Sequence, residues 1–428
     1  MAAYNERLRP QFHFTALTGW LNDPNGLVFY AGEYHLFYQH NPHGTKWGNM
    51  TWGHAVSRDL IHWEPLPLAI LPDARGHAFS GSAVVDWQNS AGFGHEALLA
   101  FYTAAGDQVT PAQPCTQCLA SSTDRGRTWT KFAGNPILNE VTTGNRDPKV
   151  FWHAPSQRWV MALYVGVAGL HTIQFFTSTD LKQWQWRSTL DGFYECPDIF
   201  ELAGQWVLFG ADGRYVVGAF DGERFTVASD KHSSDLGANF YAAQTFNDIS
   251  ASDGRRILIG WMRDGHYPGM PFNQQMTFPC DLALRDGRLC KWPVREIATL
   301  HEKSYDTPEL EGELFDIEAE VEPGNALECG FDVRGYSVRY IVGDQNLFSG
   351  NQCVRLPLEN GRFRIRLLVD RTSIEVFGNN GHVTFSSCFL PSPNNQRVSF
   401  VTTGGQARLI SFVARKLQSA WNNNPLRR

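Results

Sequence analysis

Read for hydropathy alone, the chain is a succession of short apolar and aromatic runs, roughly ten residues apart, each closed by Gly, Asn, Asp or Pro. Residues 26–30 and 34–38 are two such runs, joined by Ala31-Gly32-Glu33, which is a β-hairpin signature. Residues 97–102 and 206–209 continue the pattern. No long 3.6-residue periodicity interrupts it, so the prediction is an all-β chain. A weak repeat overlies the hairpins. Ser57, Asp59 and Trp63 recur as Ser122, Asp124 and Trp129, and again as Ser178, Asp180 and Trp184; Asp221 to Phe225 is a degraded fourth copy. The interval, roughly 40–65 residues, lies near that of propeller blades with variable loops. In each copy the Asp caps a turn between two strands and the Trp packs between blades.

The pattern changes near residue 300. Residues 301–308, from His301 to Pro308, are polar and read as a linker. Beyond them, 315–321 and 363–369 alternate apolar and charged positions with period two. That is the mark of antiparallel sheets with one wet face, hence a β-sandwich. The expected domains are a blade-built unit over 1–300 and a sandwich over 309–428.

Composition supports this division. Of 14 Trp only Trp421 lies past the linker, so the two parts pack differently. With 428 residues and 43% apolar content the chain can fill two cores. A net charge of −6 argues against nucleic acid, and no apolar run reaches membrane-spanning length. The first ten residues contain no signal-like apolar stretch. The expectation is a cytoplasmic protein, or a secreted one whose leader has been removed. The eight scattered Cys, including the Cys115–Cys118 CxxC pair, are expected to be reduced, mostly buried thiols without a metal.

Three carboxylates stand at the starts of strand-like runs in three different repeats: Asp23 in Trp20-Leu21-Asn22-Asp23-Pro24-Asn25-Gly26, Asp147 after Arg146, and Glu195 before Cys196-Pro197. In a propeller such strand ends converge on the central channel. Paired carboxylates in an aromatic cleft are what glycoside cleavage requires. Trp47, Trp52, Phe79 and Tyr241 offer ring faces for sugar C–H surfaces. Asn22, Gln39, His54, Ser80 and Arg146 offer hydrogen bonds to hydroxyls.

These segments resemble glycoside hydrolase family 32, the invertases, levanases, inulinases and related β-fructosidases. The resemblance runs in order through 20–26, 37–42, 47–55, 79–82, 146–148 and 195–198. It continues through 240–246, Ile259-Gly260-Trp261-Met262 and 370–377. It implies a five-bladed β-propeller followed by a β-sandwich. It also implies Asp23 as nucleophile, Glu195 as general acid/base and Asp147 as transition-state stabiliser. Asn22, Gln39, Trp47, Phe79, Ser80 and Arg146 match positions that hold the terminal fructosyl unit, and Tyr241 and Trp261 join the expected substrate-binding set. One position departs: Asn239 stands where many relatives carry Asp, which removes a charge.

The expected reaction is retaining, exo-acting release of fructose from non-reducing-end β-D-fructofuranosides, with no metal or organic cofactor. Sucrose and inulin- or levan-type oligosaccharides are all open as substrates, and the partner is a small sugar or fructan. A sucrose-specific invertase or a fructosyltransferase would use the same fold. A non-catalytic sugar-binding propeller is the alternative outside enzymology. The chain is expected to act as a monomer or homodimer.

Overall fold

The computed structural model describes residues 4–421. Strands dominate, and the helical content of the described residues is three short 3-10 turns, Gly106–Gln108, Ala154–Ser156 and Arg295–Leu300. Five sheets follow one another along the first 293 residues, antiparallel except where the two-residue strand Phe272–Asn273 pairs in parallel with Gly19–Tyr30. Their innermost strands are Gly19–Tyr30, His77–Asp86, Arg146–His153, Asp198–Leu202 and Tyr241–Thr245. Each sheet is a blade of a propeller.

The apolar runs are continuous because both faces of each blade are buried. In Ala97–Ala105 every residue is buried. Leu98 and Ala100 pack with Phe37 and Trp52 of blade one, whereas Leu99 and Phe101 pack with Val150 and Trp159 of blade three. Similar cores lie between blades three and four and between four and five. A further core joins Phe246, Ile257 and Ile259 of blade five to Leu21, Leu27 and Leu36 of blade one, so the ring is closed by packing.

The Ser-x-Asp repeat marks the turn from third to fourth strand in blades one to four. Asp59 Oδ1 accepts the Ile61 and His62 N–H groups at 3.0 and 2.8 Å. Asp180 Oδ1 accepts those of Lys182 and Gln183 at 2.9 and 2.8 Å. In the degraded copy, Asp221 Oδ1 accepts those of Glu223 and Arg224 at 2.8 and 2.7 Å. Trp63, Trp129 and Trp184 all pack against interblade cores.

The remainder is a sandwich of two six-stranded sheets around one core. Residues 301–305, read from the sequence as part of a linker, form the strand His301–Tyr305, which pairs with Arg408–Leu417 at the edge of one sheet. An edge strand with an exposed outer face tolerates the polar residues that made it look like a linker. The two units are pinned together through buried polar groups. Asp370 of the sandwich accepts the backbone N–H groups of Gln11, Phe12 and His13 at 2.7, 3.0 and 3.2 Å. His13 lies between Asp370 at 2.8 Å and Glu375 at 2.9 Å.

Candidate active site

The candidate side chains sit where the innermost strands break their own register. In blade one, Leu21 opposes His40 and Pro24 opposes Tyr38, which leaves Asn22 and Asp23 facing a single partner. Blade two slips at Ser80, between Phe79 and Gly81. Blade three slips beside Asp147, and blade five beside Tyr241. Strict alternation would send these side chains into the interblade cores. An extra residue turns them toward the axis, the usual role of a bulge beside a site. Gly26, at φ +54°, is required by the same crowding. A Cβ there would lie 2.7 Å from the Phe37 ring and 2.9 Å from Trp52.

Backbone strain is concentrated here. Asp147, Glu195 and Cys196 have φ of 64°, 30° and 42°, in the left-handed region that non-glycine residues seldom adopt. The distortion brings three carboxylates onto one cavity of about 400 Å³. Its lining contains eleven of the thirteen residues singled out from the sequence as catalytic or sugar-contacting: Asn22, Asp23, Gln39, Trp47, Phe79, Ser80, Arg146, Asp147, Glu195, Tyr241 and Trp261.

Asp23 accepts hydrogen bonds from Ser80 Oγ at 2.6 Å and Asn22 Nδ2 at 3.1 Å. The Cys196 thiol lies 3.5 Å from Asp23 Oδ2 and 3.4 Å from Asp147 Oδ2, so its one proton can serve either carboxylate. Asp147 also accepts the Cys196 N–H at 3.0 Å. Glu195 is held on both oxygens. Arg146 Nε and Nη2 donate to Oε2 at 2.9 and 2.6 Å, and Tyr241 OH donates to Oε1 at 2.5 Å. Arg146 itself lies over the Tyr164 ring, 4.6 Å from its centroid.

Burial and charge crowding raise Asp23 and Asp147. Burial, reinforced by the charge of Glu195, pushes Asp23 above the usual Asp range, although Ser80 and Asn22 pull it back. Burial pushes Asp147 up to about 7; the charges of Glu195 and Asp23 add to this while Arg146 opposes it. Burial and the neighbouring carboxylates drive the Cys196 thiol well up, so it stays an S–H donor.

At the mouth, Trp47 is 49% exposed and meets Phe79 edge-on at 6.0 Å. Its loop is braced by Asn41, whose side chain donates to the Lys46 carbonyl and accepts the His43 N–H. Trp261 is fixed by its indole N–H on Gln274 at 3.0 Å and stands edge-on to Tyr241.

Two expectations are corrected. Trp52 and His54 do not reach the pocket; both are fully buried. Trp52 faces the core between blades one and two and donates to the Phe79 carbonyl at 2.9 Å, so it positions Phe79. His54 stacks on Phe37 at 3.9 Å. Both lie on the third strand of blade one, away from the axis.

Asp107, Gln108, Cys115, Gly144 and Arg263 also line the cavity, and sequence reasoning missed their place in it. Only Cys115, in the CxxC pair, had drawn notice. It and Cys118 are buried free thiols pushed up to about 11 by burial. Arg263 lies 4.6 Å over the Tyr241 ring. The departure at Asn239 sits one layer behind it. The Asn239 amide donates to the Arg263 carbonyl and accepts the Cys388 N–H at 2.8 Å. A carboxylate could not make the first of these bonds.

Comparison with known proteins places the chain in a family. The model of the family described as glycosyl hydrolases family 32 N-terminal domain matches residues 13–293, and that of its C-terminal counterpart matches 334–416. The chain belongs to glycoside hydrolase family 32. It is 37% identical to a levanase of Bacillus subtilis (strain 168), over 99% of this chain and 72% of that protein. It is 32% identical to an extracellular exo-inulinase of Aspergillus ficuum, over 98% and 96%. The crystal structure of exo-inulinase from Aspergillus awamori superposes with a TM-score of 0.86 at 30% identity, covering 98% of this chain and all of that one. As a family 32 member the chain is a nearly all-β glycosidase with an N-terminal propeller and a C-terminal sandwich. The extracellular exo-inulinase runs against the cytoplasmic placement expected from the sequence.

Proposed function

We propose that this family 32 enzyme releases fructose from the non-reducing end of β-fructofuranosides by double displacement with retention. The observation that carries the reading is the convergence of Asp23, Asp147 and Glu195 on one pocket. Asp23 attacks the anomeric carbon while Glu195 protonates the leaving oxygen; Glu195 then takes a proton from the water that frees fructose. Tyr241 and Arg146 hold Glu195 in place for both steps. Asp147 accepts hydrogen bonds from sugar hydroxyls that strengthen as oxocarbenium character grows.

Exo action fits the pocket's closed base. Behind the carboxylates, the buried Lys149 ammonium bonds Asp198 Oδ1 at 2.6 Å and the Thr245 carbonyl at 3.0 Å, tying three blades together across the axis. A chain end fits such a blind pocket better than a chain middle does. The levanase and exo-inulinase relatives favour fructans as substrates, and sucrose, with the same terminal fructosyl unit, is included. All eight cysteines are unpaired, which favours a reducing compartment for this chain.

The test is product chromatography on sucrose, inulin and levan, with the first-formed anomer read by NMR. Free fructose with retained configuration is expected. Glu195→Gln should lower kcat by about 10²–10⁴-fold, and Asp23→Ala should lose at least as much. Near-normal turnover in Asp23→Ala, or inverted product, would sink the assignment.

A further inference from the structure

At the other end of the propeller axis the same innermost strands enclose a second cavity, of about 300 Å³. Asp147 opens the strand Arg146–His153 and lines the catalytic pocket; Trp152, near its end, lines the second cavity. At the rise of a β-strand the two cavities are about 17 Å apart. The Lys149–Asp198 pair lies between them. Asn247 adds a second partition, since its amide donates to the Ala83 and Val150 carbonyls at 2.8 and 3.1 Å.

The lining has the chemistry of a sugar site. Trp87, Trp152 and Trp206 supply ring surface, and Glu201, Asp248 and Arg256 supply polar groups. Trp87 is 47% exposed and belongs to none of the interblade cores, yet it is held in place. Its indole N–H donates to Asp248 Oδ1 at 2.9 Å, and Asp248 Oδ2 accepts the Val85 N–H at 3.0 Å. Asp248 adopts φ 60° to do so. An exposed ring fixed by a half-buried carboxylate on a strained backbone exceeds what packing demands. Trp206 leans on Phe151 at 5.5 Å, and the Arg256 guanidinium lies 5.4 Å over Phe200. Two carboxylates beside one guanidinium favour neither a polyanion nor a polycation. A concave, aromatic, nearly charge-balanced cavity suits a neutral ligand rich in hydroxyls.

We propose that this cavity is a second carbohydrate site, which holds a neutral fructosyl chain away from the catalytic pocket. The class of ligand rests on the function proposed above. Holding one stretch of a fructan here raises the local concentration of chain ends for the enzyme, without any new contact at the reacting centre. Sucrose is too small to gain from this, whereas polymeric levan and inulin do gain.

The experiment is calorimetric titration of the Asp23→Ala protein with a short inulin-type oligosaccharide. Two binding events are expected. Adding Trp87→Ala, or separately Glu201→Ala at an exposed rim position, should weaken one event roughly three- to tenfold, the scale of a lost ring contact, and spare the other. In the otherwise native enzyme, Trp87→Ala should leave kcat and KM for sucrose unchanged and raise KM for polymeric levan. An unchanged sucrose kcat also reports that the variant is folded. A titration that fits one site and is insensitive to both substitutions overturns the proposal. Failure to hydrolyse any fructoside would instead overturn the proposed function, which the binding measurement reads independently.

Discussion

Removing the charge of His13 is expected to weaken the joint between propeller and sandwich. Its ring is fully buried between Asp370 and Glu375. Glu375 also accepts the Phe278 N–H and the Ser386 hydroxyl, and Asp370 accepts four backbone N–H groups, three of them from residues 11–13. Burial alone would discharge the imidazole, but hydrogen bonds and charge from the two carboxylates outweigh it and raise His13 to about 9. From an ordinary value of 6.5 this rise corresponds to about 3 kcal/mol of stability. The raised value sets the sign. The contribution is present in full below pH 6.5 and is lost as pH climbs through 9. For a chain of 428 residues, that loss is about 3 °C in Tm. His13→Gln leaves two buried carboxylates without their cation and should cost about 3–5 kcal/mol at pH 6. Thermal melts of both proteins from pH 6 to 10 provide the assay, because the difference between them cancels titrations elsewhere. The two curves should converge as pH rises. Parallel curves across that range would refute the reasoning.

The remaining predictions concern the pocket and the thiols. The acid limb of kcat/KM should lie above the ordinary Asp range of about 3.9, because burial raises both Asp23 and Asp147. Arg146→Gln should move that limb to still higher pH, since the guanidinium holds Asp147 down; an unmoved limb in the pH–rate profile counts against it. Trp47→Ala should raise KM for fructosides more than it lowers kcat, because the ring is half exposed at the mouth and remote from the carboxylates' hydrogen bonds. Peptide mass spectrometry after iodoacetamide treatment of the native protein should find Cys353 modified, as the exposed thiol, and Cys196 spared, as a thiol kept protonated. Lys149→Met should lower stability by about 3–5 kcal/mol through an unpaired Asp198, read by urea unfolding.

Much of the architecture was legible because it is local. Asp59, Asp124 and Asp180 each cap a turn within a few residues, so the blade repeat survives in the sequence, and even the degraded copy at Asp221 marks a real third-to-fourth-strand turn. The clean alternation of 315–321 marked a strand with one wet face, and the structure keeps that period, whereas the continuous apolar runs prove to be strands buried on both faces. The strand His301–Tyr305 was misread because an edge strand and a linker share a polar composition.

What the sequence determined by itself was therefore the β class and the order of propeller and sandwich; it offered the three carboxylates, each set in a motif a few residues long, as candidates. Tertiary structure alone decided where side chains point. Trp52 and His54 look as eligible as Trp47, but they lie on the third strand of blade one, and the pleat turns them into its packed faces. Asp107 and Arg263 carry no local signal and come to the pocket only because loops of blades two and five meet over the axis. The bulges that turn Asp23, Ser80 and Asp147 inward are pairing defects between strands. Register is a relation between two segments, so hydropathy along one segment cannot record it.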